Sequence, residues 1–158
     1  MRIVATIESE EITEHDDGSV TFRAKAAVDT DGIGPLHGDP DAQRTTSLTW
    51  QGKSLNADID KYIVVPPAII AGVKGVVLGC QASCFHIRTR KTTLAVVGDI
   101  GPHKKLGEVS VATAKALGID PSPTTGGTSS HVIEYTLYPG KPAVVDGKQY
   151  SLQPSGAK

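Results

Sequence analysis

The segment YIVVPPAIIAGVKGVVLGCQASCFHIRTRKTTLAVV, residues 62–97, carries the strongest secondary-structure pattern in the chain. Three runs rich in β-branched residues predict strands at 62–65, 75–82 and 92–97. Two consecutive prolines end the first run, and the polar segment 88–91 suits a solvated hairpin tip between the other two. Three short strands separated by turn residues predict a small sheet or barrel in the middle of the chain.

The flanking regions add strands, loops and one helix. Residues 110–117 place Val111, Ala114 and Leu117 on one face, which predicts a short helix that ends at Gly118. Further strands are predicted at 1–7, 19–28, 132–138, 143–145 and 149–152. The acidic segment between the first two of these is predicted to be a solvated hairpin loop, and residues 29–60 and 120–130 are predicted to be loops.

Length and charge exclude several classes of protein. The chain has 158 residues, of which 39% are hydrophobic, enough for one domain over residues 1–158 with a core of its own. The formal net charge of −1 gives no global field for nucleic acid or an anionic membrane. No apolar run approaches the ~20 residues needed to span a bilayer. We therefore expect a monomer that binds neither nucleic acid nor membrane.

The thiols and imidazoles do not suggest a metal or a disulfide. Cys80 and Cys84 would lie four residues apart on one strand, too far apart to bridge, so we expect buried free thiols. The five histidines have no zinc-ligand spacing. We expect neither a metal nor a cofactor. The first eight residues lack the basic and apolar regions of a secretory signal, so none is expected in this chain.

Two carboxylates are candidates for catalysis. Asp99 follows a predicted buried strand within a glycine-rich segment, and Glu108 lies nine residues later, just before the predicted helix. Hydrolysis of a glycosidic bond needs such a pair, one protonated to protonate the leaving oxygen and one ionised to activate water or attack. The alternative is structural: Glu108 would complement the helix N-terminus, and Asp99 would cap a turn.

Residues 29–41 are locally acidic, with four aspartates and no lysine or arginine. Aspartate before glycine or proline is typical of turns, so a turn-rich loop is one interpretation. The pattern does not meet the spacing of a calcium-binding loop.

Taken together, several segments resemble the chitosanases of glycoside hydrolase family 75, over about residues 28–152. The matching segments are Asp29-Thr30-Asp31-Gly32, His37-Gly38-Asp39-Pro40, Leu55-Asn56-Ala57-Asp58, Tyr62–Pro67, Val76–Cys80, Gly98-Asp99-Ile100-Gly101-Pro102 and Gly107-Glu108-Val109-Ser110. The resemblance implies endo-hydrolysis of chitosan, a β-1,4-linked glucosamine polymer, by an inverting mechanism. It assigns Asp99 and Glu108 as the catalytic pair. The environment of Glu108, near a helix end after an apolar-flanked glycine, favours Glu108 as the proton donor and Asp99 as the base.

The resemblance further implies a polysaccharide substrate and a protein that is secreted or exported to reach it. The substrate-binding residues would be Asp29, Asp31, His37, Asp39, Asn56 and Asp58. The order of segments also resembles double-psi β-barrels, so the expected fold is mainly β, with one or two short helices and a small barrel. Two alternatives stay open: a hydrolase of peptidoglycan or chitin strands, and a non-catalytic polysaccharide-binding domain, against which the 4% aromatic content argues.

Overall fold

The computed structural model describes residues 1–101 and 105–154, and the protein is mainly β. The described strands are β1 (Arg2–Ile7), β2 (Glu10–Glu14), β3 (Val20–Asp29), β4 (Thr49–Trp50), β5 (Lys53–Ser54), β6 (Tyr62–Val65), β7 (Cys80–His86), β8 (Thr92–Ile100), β9 (Glu108–Ser110), β10 (Thr128–Pro142), β11 (Val144–Val145) and β12 (Lys148–Gln149). Two short helices, α1 (Pro67–Gly72) and α2 (Val111–Ala116), accompany them.

Six of these strands close into a barrel, which confirms the expected architecture. The order around the barrel is β3-β10-β7-β8-β6-β9, and β9 pairs back onto β3. The pairs β3–β9 and β6–β8 are parallel, and the other four are antiparallel. Alternate residues point inward to a closed core that includes the fully buried Ile133 and Leu137 of β10.

Two connections each pass across a neighbouring strand. The chain runs from β3 to β6 through residues 30–61, yet β9 lies between these two strands in the barrel. Strands β8 and β9 also follow one another along the chain, with β6 lying between them in the barrel. Each is a psi-type connection, and the first brings the long acidic loop to the barrel wall beside β6 and β9.

The central strands mostly follow the sequence prediction. Strand β6 covers the predicted 62–65, whereas β7 begins five residues later than predicted. Gly75 and Gly79 have φ of 86° and 92°, so the chain between them turns and cannot extend. Helix α1 was not predicted: Pro67 ends the strand run but also serves as a first helical residue.

The acidic segment after β1 is a strand and not the predicted loop. Residues Glu10–Glu14 form β2, in which Ile12 is fully buried while its neighbours face outward. The turn before it uses Glu8 and Ser9, both with positive φ, as a two-residue hairpin requires. One buried isoleucine among glutamates is enough for an outer strand, because only one face of that strand must be apolar.

Helix α2 and the thiols agree with the predictions. The helix begins after Ser110, and Gly118 follows it with a φ of 72°. Cys80 and Cys84 are both buried and free. Among the described residues, no helix is long and apolar enough to cross a membrane.

Replacing Gly98 with alanine should destabilise the barrel. A Cβ at this position would lie 2.6 Å from Cβ of Tyr62 and 2.9 Å from Cδ1 of Leu55, both in the core. We expect the free energy of unfolding to fall by about 1–3 kcal/mol, measured by urea denaturation. Gly72→Ala is the matched control, because a Cβ there meets no atom within 4 Å; it should leave stability unchanged or slightly raised. Equal stability of the two variants would contradict the close approach at Gly98.

Candidate active site

Asp99 reaches its position through a bulge in β8. In the parallel pairing with β6, Ile63 lies opposite Val97 and Val64 lies opposite Asp99, so Gly98 is an extra residue. An extra residue in a strand reverses the facing of the residues that follow it. The bulge therefore aligns the Asp99 side chain with Val64.

Glu108 lies on the other side of Val64. Strand β9 pairs with β6 so that Glu108 is opposite Val64, and with β3 so that Glu108 is opposite Ala27. Directly opposed residues in a sheet share a face. Asp99 and Glu108 therefore flank Val64 on one face, with Cα atoms about 9.6 Å apart, or two strand spacings.

The structural alternative for Glu108 finds no support in the local contacts. The N-cap of α2 is Ser110, whose hydroxyl accepts a hydrogen bond from Thr113 N at 3.3 Å. Glu108 lies two residues before this cap, and its backbone belongs to the sheet. Its carboxylate is thus not needed to begin the helix.

The Asp99 carboxylate is held by three donors to one oxygen. Oδ1 accepts hydrogen bonds from Ser47 N at 2.9 Å, Ser47 Oγ at 2.8 Å and Ile100 N at 3.1 Å. The side chain is otherwise buried, with Asp99 only 5% exposed. Ser47 comes from the loop between β3 and β6, so that loop and β8 fix the carboxylate together.

Two further aspartates lie against Asp99. Carboxylate oxygens of Asp29, Asp31 and Asp99 all lie within 4.8 Å of one another. The hydroxyl of the buried Tyr62 donates to two oxygens, Asp29 Oδ2 and the Asp31 carbonyl oxygen, each at 2.8 Å. Gln43 N donates to Asp31 Oδ1 at 2.7 Å. Asp29 ends β3 and Tyr62 begins β6, so the barrel itself brings the cluster together.

The burial of these acids opposes their ionisation. Burial raises the pKa of Asp29 to about 7, although the Tyr62 hydroxyl acts in the opposite direction. The pKa of Asp31 is also raised, first by burial and then by a hydrogen bond with Asp99. Burial raises the pKa of Glu108 too, against the nearby ammonium groups of Lys25 and Lys105. The site therefore retains protons that exposed carboxylic acids would lose.

The cluster opens onto a continuous groove made of two cavities. One, of about 570 Å³, is lined by Glu108 and Asp29 together with Asp39, Asp41 and Lys105. The other, of about 430 Å³, is lined by Asp99 and Ser47. Asp31 and Gln43 line both, so the two cavities meet at these residues. We call the two cavities together the acidic groove.

The other predicted binding residues divide into two groups. Asp29, Asp31 and Asp39 line the acidic groove. His37 and Asp58 form a pair at 2.7 Å, and the Asn56 side chain accepts a hydrogen bond from Asp58 N at 3.0 Å and lines a different cavity. None of these last three is among the described residues that line the groove. Pro102 of the matching segment lies outside the described residues.

Asp29, Asp31 and Asp99 have the geometry to hold a cation. Carboxylate oxygens are the ligands that Ca²⁺ and Mg²⁺ prefer, and these three form the one such group in the described part of the chain. No histidine or cysteine of the described residues belongs to this group.

Sequence reasoning missed three residues of the site: Tyr62, Ser47 and Gln43. Tyr62 appeared only as the first residue of a strand, although a buried tyrosine needs a hydrogen-bond partner for its hydroxyl. Ser47 and Gln43 lie in a loop without any periodic pattern, and they act partly through backbone N–H groups that every residue carries. No sequence signal could have selected Ser47 or Gln43.

Comparisons with known proteins give no family for this chain. No family model matches it, and no curated protein matches it either.

Asp29→Asn should make the protein more stable at alkaline pH. The unfolded chain releases the Asp29 proton near pH 4, whereas the folded protein retains it up to a pKa of about 7. Wild-type stability should therefore fall as pH rises through this range, by up to about 4 kcal/mol, and the asparagine variant should lose correspondingly less. Thermal unfolding of both proteins at pH 4.5 and pH 8 measures the difference.

The control for this experiment is Asp16→Asn, since the Asp16 side chain is 96% exposed and pairs only with the N-terminus. It should change stability little at either pH. If Asp29→Asn and Asp16→Asn behaved alike between pH 4.5 and pH 8, burial of Asp29 would not oppose its ionisation.

Proposed function

We propose that the protein is a glycoside hydrolase that cleaves β-1,4 bonds within chitosan by an inverting, two-carboxylate mechanism. One observation carries the proposal: Asp99 and Glu108 flank Val64 on one face of the barrel and line one groove, in different environments. An inverting pair needs about 6.5–9.5 Å between its carboxyl groups to admit a water, and placement two strands apart, on either side of Val64, leaves room between the two side chains for that water.

Glu108 is the proton donor in this mechanism. Burial raises the pKa of Glu108 and so favours the protonated form, from which a carboxylic acid can protonate the leaving glycosidic oxygen. Gly101 lies beside the Glu108 carboxyl, and a Cβ there would crowd Oε2 at 3.3 Å. Both residues line the same cavity, so a substrate in that cavity would lie near the Glu108 side chain.

Asp99 is the base. The hydrogen bonds from Ser47 and Ile100 occupy Oδ1, which leaves Oδ2 to accept a proton from water. The hydroxide that forms attacks the anomeric carbon on the face opposite the leaving oxygen, and that oxygen takes the Glu108 proton. One bond to carbon breaks, one forms, and the configuration inverts. Asp31, whose pKa is raised, keeps its own proton and shares a hydrogen bond with Asp99.

The charge of the groove supports a cationic substrate. Asp39 and Asp41 extend the acidic lining beyond the central cluster, and Lys105 is the one lysine among the described residues that line it. Protonated amines of chitosan carry positive charge at every sugar, so such a lining attracts them. Neutral chitin or peptidoglycan strands gain no such attraction, which is why chitosan is the preferred substrate in this proposal.

Glu108→Gln should abolish cleavage of chitosan while leaving the fold intact. The amide keeps the shape of the side chain but cannot donate the required proton, so we expect a loss of at least about 100-fold in kcat. The thermal midpoint should change little, because Glu108 does not cap α2. Reducing-end release from chitosan, chitin and peptidoglycan, measured side by side, gives the activity, and NMR of the first products gives the anomeric configuration.

The matched control is Glu134→Gln, a partly exposed glutamate on β10 that pairs with Arg23 across the strands. It should retain full activity. Cleavage of peptidoglycan alone would refute chitosan as the substrate, and cleavage of no glycan would refute the hydrolase. Loss of wild-type activity on treatment with chelator, restored by a divalent ion, would replace the metal-free mechanism with one through the aspartate cluster.

Asp41→Asn should weaken chitosan binding in a salt-dependent way. Asp41 is exposed at the edge of the groove, so its charge acts through solvent and is worth about 1 kcal/mol at contact distance. We expect KM for chitosan to rise about threefold to fivefold at low ionic strength and the difference to disappear near 0.5 M salt. Asp16→Asn is the control, because Asp16 is also exposed but is not among the described residues that line the groove; this variant should not change KM. A salt-independent effect would rule out the electrostatic role.

A further inference from the structure

A second large cavity lies close to the acidic groove and has a different chemistry. Its volume is about 590 Å³, and none of the described residues that line it is charged. Apart from two glycines, the lining consists of Thr49, Trp50, Gln51, Gln149, Ser151 and Gln153. We call it the amide cavity, since glutamines supply half of these side chains.

A short stretch of chain joins the amide cavity to the catalytic residues. Ser47, which binds Asp99, lines the acidic groove, and Thr49 lines the amide cavity. Two residues can separate their Cα atoms by no more than about 7 Å. Leu48 between them is fully buried and directs its side chain into the core, so the outer side of the segment runs from one cavity to the other.

The amide cavity is already organised in the protein alone. The Trp50 indole N–H donates to the Gln149 carbonyl oxygen at 3.0 Å. The Gln153 amide donates to Thr49 O at 2.8 Å and accepts from Thr49 N at 3.2 Å. These bonds tie the β4–β5 hairpin to the C-terminal segment, so binding there orders little additional chain.

The Trp50 ring separates the amide cavity from a smaller one of about 250 Å³. The Lys148 ammonium lies 4.4 Å from the centre of the ring and lines the smaller cavity, where it also pairs with the buried Asp60. Its charge is therefore compensated, and it stays outside the amide cavity. The chain has a single tryptophan, so Trp50 is also a specific fluorescent reporter of this position.

We propose that the amide cavity binds an N-acetylated sugar unit of the polymer whose glucosamine units occupy the acidic groove. This inference rests on the proposed function and narrows its substrate to partially acetylated chitosan. Glutamine amides and hydroxyls pair with the neutral acetamide and hydroxyl groups of such a sugar, and the aromatic ring packs against its apolar face. An ammonium group there would meet no countercharge.

Fluorescence of Trp50 tests the proposal directly. The Glu108→Gln protein is titrated with two chitosan hexamers, one fully deacetylated and one containing N-acetylglucosamine units. The acetylated hexamer should change the tryptophan emission in a saturable way. At 0.5 M salt, which screens the charges of the acidic groove, it should bind at least fivefold more tightly than the deacetylated hexamer.

A pair of variants on one hairpin separates a binding role from a structural one. Gln149→Ala removes an exposed amide of the cavity, and we expect the ratio of affinities for the acetylated and deacetylated hexamers to fall about fivefold, as for one lost hydrogen bond. Val144→Ala alters the exposed residue opposite Gln149, which does not line the cavity, and should leave both affinities and wild-type activity unchanged.

The outcomes distinguish this inference from the proposed function. If wild-type protein cleaves chitosan but Trp50 emission does not respond to the acetylated hexamer, the amide cavity is not a subsite and the inference is overturned. It is equally overturned if Gln149→Ala and Val144→Ala give the same affinity ratio. If Trp50 responds selectively to the acetylated hexamer but no glycan is cleaved, the binding site stands and the proposed hydrolase fails.

Discussion

Strand β6 has only four residues, yet it is paired on both edges and buried on both faces. Its backbone groups must find partners within the protein, mainly in β8 and β9 and also in Thr113 of α2, because the strand is buried along its whole length. The pairing with β8 is completed only because Gly98 is accommodated as an extra residue against Tyr62. This constraint places one acid on each side of Val64, and the positions of the two candidate catalytic acids depend on it.

The same constraint makes the site electrostatically unfavourable. Closing the barrel at β3, β6 and β9 brings Asp29 and Asp31 against Asp99 in a place that is largely shielded from solvent. Hydrogen-bond donors offset part of this cost, and no buried side-chain polar atom of the described residues lacks a partner. The remaining cost appears as the raised pKa values of Asp29, Asp31 and Glu108. These acids therefore keep their protons to a higher pH than exposed acids do.

The surface around the site is divided by charge. The loop from β3 to β6 carries aspartates along the acidic groove, and its last part leads past Ser47 to a cavity without charged residues. A uniform cationic polymer would be served by the first surface alone. The two surfaces together suit a polymer whose units differ in charge, which is the substrate that we propose.

The sequence alone predicted five of the six barrel strands, β3, β6, β7, β8 and β10, together with helix α2 and the free thiols, because these follow from local periodicity, turn residues and spacing. It did not predict β9, the three-residue strand that carries Glu108, and it offered Asp99 and Glu108 only as candidates. Strand β2 and helix α1 departed from the sequence prediction, since one buried isoleucine or one proline satisfies more than one local structure. Only the tertiary structure decided that β6 lies between the two acids, that Tyr62, Ser47 and Gln43 complete the site, and that His37, Asn56 and Asp58 lie apart from the groove. These facts depend on which strands pair across the barrel and on backbone groups common to all residues, and neither is encoded by any short stretch of sequence.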